Sequence, residues 1–250
     1  MSDPMDYFFE LYDALPRGGP GDNESTCKAF KLVKGLPEKP RILDLGCGPG
    51  MQTLELARLS QGKIIALDNH QPFLDKLNHD AQRRGLSAYI ETISQDMNWL
   101  SFPPESFDLI WSEGALYFMA FENGLKKCRG LLKKNGHLAA TELVWLRPDP
   151  PDEIKQANLS EYPALTGIEN NMAMVRKAGY QLIGHFTLPD ASWTKNYYDP
   201  MERRIKELKK KYFAGHEART VFSACQREID LFRKYSKYFG YEFFVMKAAP

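Results

Sequence analysis

Four residues in one short run are arranged to do chemistry: Asp44, Gly46, Gly48 and Gly50, within ILDLGCGPGMQT at positions 42–53. A buried strand, a tight glycine turn and a helix N-terminus make a cradle for a nucleotide-like ligand. Glycine suits the turn because it accepts positive φ and lets the backbone approach a ligand without a Cβ in between. Spacing then narrows the ligand. A dinucleotide fingerprint beginning at Gly46 needs Gly or Ala at position 51, where Met51 stands, and Pro49 removes an amide donor from the loop. Asp44, two residues ahead of the first glycine, would repel a diphosphate and attract a cation. Asp68 lies eighteen residues beyond Gly50, where a ribose-binding carboxylate belongs in a doubly wound sheet. The residues together call for a ligand that carries a ribose and positive charge but no phosphate.

The elements that must position these residues follow from periodicity. Residues 41–45, 63–68 (KIIALD), 88–94, 107–112 and 137–145 (HLAATELVW) read as strands, with helices at 71–84, 124–132 and 168–178. Two more strands, 180–188 (YQLIGHFTL) and 240–247 (GYEFFVMK), follow RPDPPDEI, which reads as a proline-rich connection. Before the first strand, 5–15 and 24–36 read as helices, the second capped by Asp22 or Asn23. The PRGGPGD stretch between them (16–22) is a linker or a mobile lid, with its glycines as hinges and Arg17 as donor to a ligand carboxylate. Roughly fifty residues separate the last two strands, too many for a plain loop. They carry a charged helical pattern (201–213) and a second one, 217–238, with Val221, Phe222, Cys225, Ile229, Phe232 and Tyr235 on one stripe. Trp193, Tyr197 and Tyr198 stand where this insert begins, packing it onto the sheet or lining a pocket.

Composition limits the alternatives. In 250 residues the hydrophobic fraction is 43%, the charged fraction 26% and the net charge +1, the profile of a globular protein without a nucleic-acid binder's basicity. The basic run RRIKELKKK (203–211) is interrupted by Glu207 and has no interleaved aromatic platform, so it reads as a solvated helix face. Cys27, Cys47, Cys128 and Cys225 are scattered with no CxxC pair, which points to a reducing cytoplasm and to no metal centre. No apolar run reaches the roughly 20 residues needed to span a bilayer, and the acidic N-terminus lacks a signal-peptide pattern.

The stretch DLGCGPG resembles the first motif of the class I S-adenosylmethionine-dependent methyltransferases. PESFDLI (104–110) resembles the segment before the fourth strand in type 11 small-molecule members, including the ubiquinone and menaquinone enzymes. An acid and an apolar residue at the third strand's end, Asp96-Met97, resemble that family's adenine site. The resemblance covers about residues 38–146. It implies a seven-stranded, mostly parallel, doubly wound α/β sheet of Rossmann type, in one methyltransferase domain. Within it lie an N-terminal helical lid (1–37), a core (38–189), a helical cap (190–239) and a last strand (240–250). It implies S-adenosylmethionine as cofactor and S-adenosylhomocysteine as product, held by Asp44, Leu45, Gly46, Cys47, Gly48, Gly50, Asp68, Asn69, Gln95, Asp96, Met97, Ser112, Glu113 and Arg17. Methyl transfer needs alignment and exclusion of water more than a dedicated base, so candidates for a base stay open among Glu113, Tyr117, His185 and His216. His137, at the start of its strand, reads as structural. The expected partner is a small-molecule acceptor, with no nucleic acid and no membrane span, for a cytoplasmic monomer or homodimer. The long insert departs from the quinone enzymes, so their substrate is not carried over. Two rivals are a silent cofactor-binding regulatory protein and an NAD(P)-dependent oxidoreductase, the latter opposed by Met51 and Asp44.

Overall fold

Strands whose residues are apolar on both faces must be covered on both faces, and that requirement builds the molecule. The computed structural model describes residues 3–213 and 215–249. In it β1 (Arg41–Leu45), β2 (Lys63–Asp68), β3 (Ile90–Ser94), β4 (Phe107–Glu113) and β5 (Leu132–Trp145) run parallel. A two-residue β6 (Thr166–Gly167) pairs with the end of β5, while β8 (Phe239–Ala248) lies antiparallel between β5 and β7 (Tyr180–Thr187). The order is β3-β2-β1-β4-β5-β8-β7, the seven expected strands, with β6 an eighth beside β5. The order reverses between β1 and β4. In an open α/β sheet that reversal leaves a crevice at the carboxyl ends of the two strands.

Helices cover both faces. α1 (Pro4–Tyr12) lies apart from the sheet; α2 (Asn23–Leu32), α3 (Met51–Ser60) and α4 (Gln71–Arg83) cover one face, where Ala29, Leu56 and Ala57 meet Ile42, Ile64 and Trp111. α5 (Phe121–Leu131), α6 (Asp152–Glu161) and α7 (Ile168–Lys177) follow, and Leu125, Cys128 and Val175 of α5 and α7 close the other face over Leu43, Ile110 and Leu138. Asp22 is the N-cap of α2, accepting from Ser25 N at 2.7 Å. Three local features differ from the sequence reading. β5 begins at Leu132, because the expected KKNG turn is held inside the strand as a bulge, with Asn135 at φ +64° and the pairing jumping from Leu132 to His137. α6 lies in the stretch read as a connection; Pro151 starts it and only Ile154 is buried, so its periodicity is faint. The last strand begins at Phe239, and its expected end, Pro250, lies outside the described residues.

The insert is a nearly unbroken helical run. α8 (Asp190–Trp193), a π-helical turn (Thr194–Tyr198) and α9 (Asp199–Lys211) follow one another, and α10 (His216–Tyr235) returns. Pro200 has no N–H to give to the preceding turn and its ring crowds the carbonyl behind it, which accounts for the widened turn just before it. Met201, Ile205 and Leu208 of α9 face Phe222, Cys225, Ile229 and Phe232 of α10, and the lysines of the basic run point to solvent. Leu11, Tyr12 and Leu15 of the N-terminal segment belong to this same apolar cluster. Trp193 stacks on Phe232 at 4.7 Å and meets Tyr241 at 4.9 Å, so it packs the insert against β8.

Backbone conformation at the glycine turn carries a direct consequence for stability. Gly50 has φ +88°, and a Cβ there would lie 2.3 Å from Leu77 Cδ1. Gly50→Ala is expected to cost about 2–4 kcal/mol of unfolding free energy through strain plus overpacking. Gly35→Ala, at φ +76° with nothing within 4 Å, should cost about 1 kcal/mol. Urea titrations followed by circular dichroism check the difference; equal losses would contradict this account.

Candidate functional site

At the end of β1 the chain makes three left-handed residues in five positions: Gly46 (φ +69°), Gly48 (φ +53°) and Gly50. A Cβ on Gly46 would lie 2.3 Å from Ala115 Cβ and 3.1 Å from Met97 Cε, so the turn is pressed between the ends of β3 and β4. Gly48 is different. A Cβ there would meet only backbone atoms of Gly18, at 3.7 and 3.9 Å, and one on Gly18 would meet Pro49 and Phe73. The PRGGPGD stretch therefore lies across the turn. Gly46 N and Cys47 N both donate to Leu67 O, at 2.9 and 3.0 Å, fixing the turn to the end of β2.

Asp68 is held at that strand end by backbone. Gly48 N donates to its Oδ2 at 2.8 Å and His70 N to its Oδ1 at 3.0 Å, so each oxygen is oriented and keeps a further lone pair. Gln95 N donates to Asp68 O at 3.0 Å, tying β2 to β3 where Asp96 caps a short 3₁₀ turn through Asn98 N at 2.7 Å. Met97 in that turn is half-buried, and Asn69 is exposed beside Asp68.

Asp44 is fully buried. Thr53 Oγ1 donates to its Oδ2 at 2.6 Å, and its Oδ1 has no partner among the described residues. Burial pushes this carboxyl up to about 7, opposed by the Thr53 hydrogen bond and reinforced by the charge of Glu113. Gln52 Nε2 donates to Cys47 O at 2.8 Å and braces the turn from beneath. Cys47 itself is buried, and desolvation holds its thiol well above the usual range.

Arg17 and Glu113 form a buried ion pair. Thr26 Oγ1 and Trp111 Nε1 also donate to Glu113 Oε1, at 2.7 and 2.8 Å. Both oxygens of Glu113 are thus occupied, which removes it as a free base. Arg17 is only 4% exposed and its Nη1 has no partner among the described residues, so one edge of the guanidinium remains for a ligand. The ion pair binds the PRGGPGD stretch to the end of β4. Ser112 and Leu45 act within the sheet, where Ser112 Oγ donates to Leu45 O at 2.9 Å.

Beyond the turn lies a second group of side chains. Gly114 approaches Tyr241, and Tyr117 meets Tyr162 edge to face at 5.9 Å. Tyr162 OH donates to Glu142 Oε1 at 2.6 Å; Glu142 Oε2 has no partner among the described residues, and burial lifts that carboxyl to about 8. From α10, Glu228 accepts from Tyr198 OH at 2.9 Å, and burial raises it as well. Tyr12 and Tyr197 join hydroxyl to hydroxyl at 3.0 Å.

The structure does not bring two of the candidate bases to this region. His185 sits on β7, bonded to Glu242 Oε1 at 2.5 Å, and β7 is three strands from β4, roughly 14 Å at ordinary strand spacing. His216 is exposed at the start of α10. His137 is buried at the far end of the sheet. Sequence reasoning placed Glu142 toward the substrate side of its strand and passed over Thr26, Gln52, Thr53, Tyr162 and Glu228. Gln52 and Thr53 had a local signal, polar residues in the first turn after the glycines. Glu228 had another: it stands beside the buried stripe of α10, next to Ile229 and three residues past Cys225.

An open sheet with this strand order, glycine turn and strand-end acids is the class I methyltransferase fold. YjhP from E. coli superposes with a TM-score of 0.85 at 19% identity, covering 98% of this chain and 99% of that one. A S-adenosylmethionine-dependent methyltransferase from Geobacter sulfurreducens, in complex with S-adenosyl-L-homocysteine, gives 0.83 at 17%, covering 96% and 97%. Residues 42–136 match the family model described as "Methyltransferase domain". It is 26% identical over 184 residues to sterol 24-C-methyltransferase erg-4 of Neurospora crassa, over 70% of this chain and 48% of that protein. The chain thus spans about half the length of the curated relatives it matches.

Asp44 gives a pH-dependent test. Its folded value of about 7 lies above the ordinary 3.8, so the native state holds a proton that the unfolded chain has released between those values. Stability contributed by this group is present below pH 4 and lost progressively up to pH 7. Asp44→Asn should therefore raise the thermal midpoint at pH 8 by at least ~2 °C, about 1 kcal/mol in a chain of this size, with the difference vanishing near pH 4. Calorimetry at the two pH values checks the sign.

Proposed function

We propose that this protein transfers a methyl group from S-adenosylmethionine to a small-molecule acceptor held beneath the helical insert. The observation that carries the reading is the pairing of a glycine cradle with a buried, half-unpartnered carboxylate: Gly46, Gly48 and Gly50 leave no Cβ in the turn, and Asp44 Oδ1 beside it awaits a donor. When bound, the cofactor supplies a sulfonium methyl for in-line displacement. The chain's own residues then have distinct tasks. Asp68, oriented by two amides, accepts from the ribose hydroxyls, and Asp96 and Met97 flank the adenine. Asp44 faces the ammonium, and the free edge of Arg17 takes the carboxylate. The insert and α1, clustered through Tyr12, Tyr197 and Phe222, exclude water from the reacting centre. In this reading the cover is α1 with residues 190–239, hinged at 16–22, over a core of 38–189.

The curated relatives are named as sterol 24-C-methyltransferases, and the fold-level neighbours act under several names. Fold does not choose among acceptors.

Isothermal titration is expected to show S-adenosylmethionine and S-adenosylhomocysteine binding in the micromolar range, and no heat with either would overturn the reading. Asp68→Ala should weaken both by about 1–3 kcal/mol, the cost of unpaired buried hydroxyls. S-adenosylmethionine affinity should rise with pH through about 7 as Asp44 ionises, a slope that Asp44→Asn removes.

A further inference from the structure

His70 joins the N-terminal helix to the acid at the end of β2. Its backbone N–H donates to Asp68 Oδ1 at 3.0 Å, which fixes it beside that carboxylate. Its side chain meets α1 instead. Nε2 lies 2.7 Å from Oδ1 of Asp13, the C-cap of α1, and the imidazole stacks on Phe9 with ring centres 3.9 Å apart and planes 8° apart. Phe73 meets the same ring edge to face at 4.7 Å, and a Cβ on Gly18 of the 16–22 stretch would lie 3.8 Å from Phe73. Among the described residues, every other side-chain hydrogen bond from 3–15 to another part of the chain goes to the insert, from Glu10 and Tyr12. The charged groups against His70 are Asp13 and Asp68, and Asp13 has no lysine or arginine partner among the described residues. The imidazole is 14% exposed and the Asp13 side chain 39%, so water reaches the pair from the Asp13 side.

We propose that His70 is a positioning residue that clasps α1 over the cofactor cleft, and that protonation of its imidazole tightens the clasp. The inference rests on the methyltransferase reading for what the cleft holds. The 16–22 stretch lies across the glycine turn, with Gly18 at contact distance from Gly48. A ligand in the cradle can therefore enter or leave only when that stretch lifts, and α1, continuous with it in the chain, lifts with it. An imidazole changes charge between pH 5 and 8, a range in which a carboxylate is ionised. Charged, the ring forms an ion pair with Asp13 and presents a cation to the face of Phe9. Neutral, it loses both gains. The clasp is thus tight on the acid side of this range and weakens as pH rises, slowing release of a bound ligand at low pH.

The experiment is release of S-adenosylhomocysteine from the full chain on rapid dilution, followed by tryptophan fluorescence. Near pH 6, His70→Gln and Asp13→Asn should each release it about three-fold faster than the unaltered chain, the scale of a partly exposed ion pair. Glutamine keeps a donor for Asp13 but takes no charge, so the ratio should close toward one near pH 8.5. The double variant should release no faster than either single one, because both remove the same contact. His79→Gln, at an exposed histidine of α4, should change nothing. Asp44, which titrates in the same range, is present in every variant and cancels from the ratios. Amide exchange across 4–12 in the free chain, faster in both variants near pH 6, reads the clasp without any ligand. Release and exchange unaltered by both substitutions, a ratio that stays constant with pH, or additive losses in the double variant would overturn the proposal. Failure of S-adenosylhomocysteine to bind at all would overturn the cofactor reading and the gating together, which tells the two failures apart.

Discussion

Backbone conformation at three glycines is the constraint on which the site depends. Gly46, Gly48 and Gly50 all lie in the left-handed region, where other residues are strained. Their placement lets β1 turn into α3 between Met97, Ala115 and Leu77, with no side chain in the way. Once the turn is set, its amides orient the rest: Gly48 N fixes one oxygen of Asp68, and the amides of Gly46 and Cys47 anchor to β2. The sheet supplies the space, because its order reverses between β1 and β4 and opens a crevice there.

Buried charge is the second constraint. Asp44 lies close enough to Glu113 for that charge to raise its own proton affinity, yet only Glu113 has a cationic partner. Removing one member of a desolvated pair leaves an uncompensated charge, so Arg17 cannot leave Glu113 cheaply. The pair therefore does more than hold one residue. It pins the stretch 16–22 across the glycine turn, and Asp22 extends the tie by accepting from Ser192 in the insert. The segment lying across the turn and the helical insert are mechanically joined.

Apolar burial completes that joining. α1 and the insert are about 180 residues apart in the chain yet share one cluster, with Tyr12 bonded to Tyr197 and Glu10 accepting from Tyr212 at 2.7 Å. α2, read with α1 as part of a lid, packs on the sheet against α3 instead. Its Ala29 and Val33 lie in the core over Ile42 and Trp111, whereas the aromatic face of α1 has only the insert to bury against. Neighbours in sequence thus divide between two layers according to which apolar surface each can cover.

Much of the core was legible in the sequence because its signals are local. Strand periodicity, the glycine spacing, Met51, Pro49 and the acids at successive strand ends each act within a few residues, and they determined the fold class and the character of the ligand. The boundaries that shifted, at β5 and α6, are places where a bulge or prolines hide the period. Tertiary structure alone decided the long-range partnerships: Arg17 with Glu113, His185 drawn away to Glu242, Glu142 with Tyr162 and Glu228 with Tyr198. The physical reason is that desolvation and charge compensation depend on what surrounds a group in space, and the partners of Glu113 come from residues 17, 26 and 111, on three separate elements.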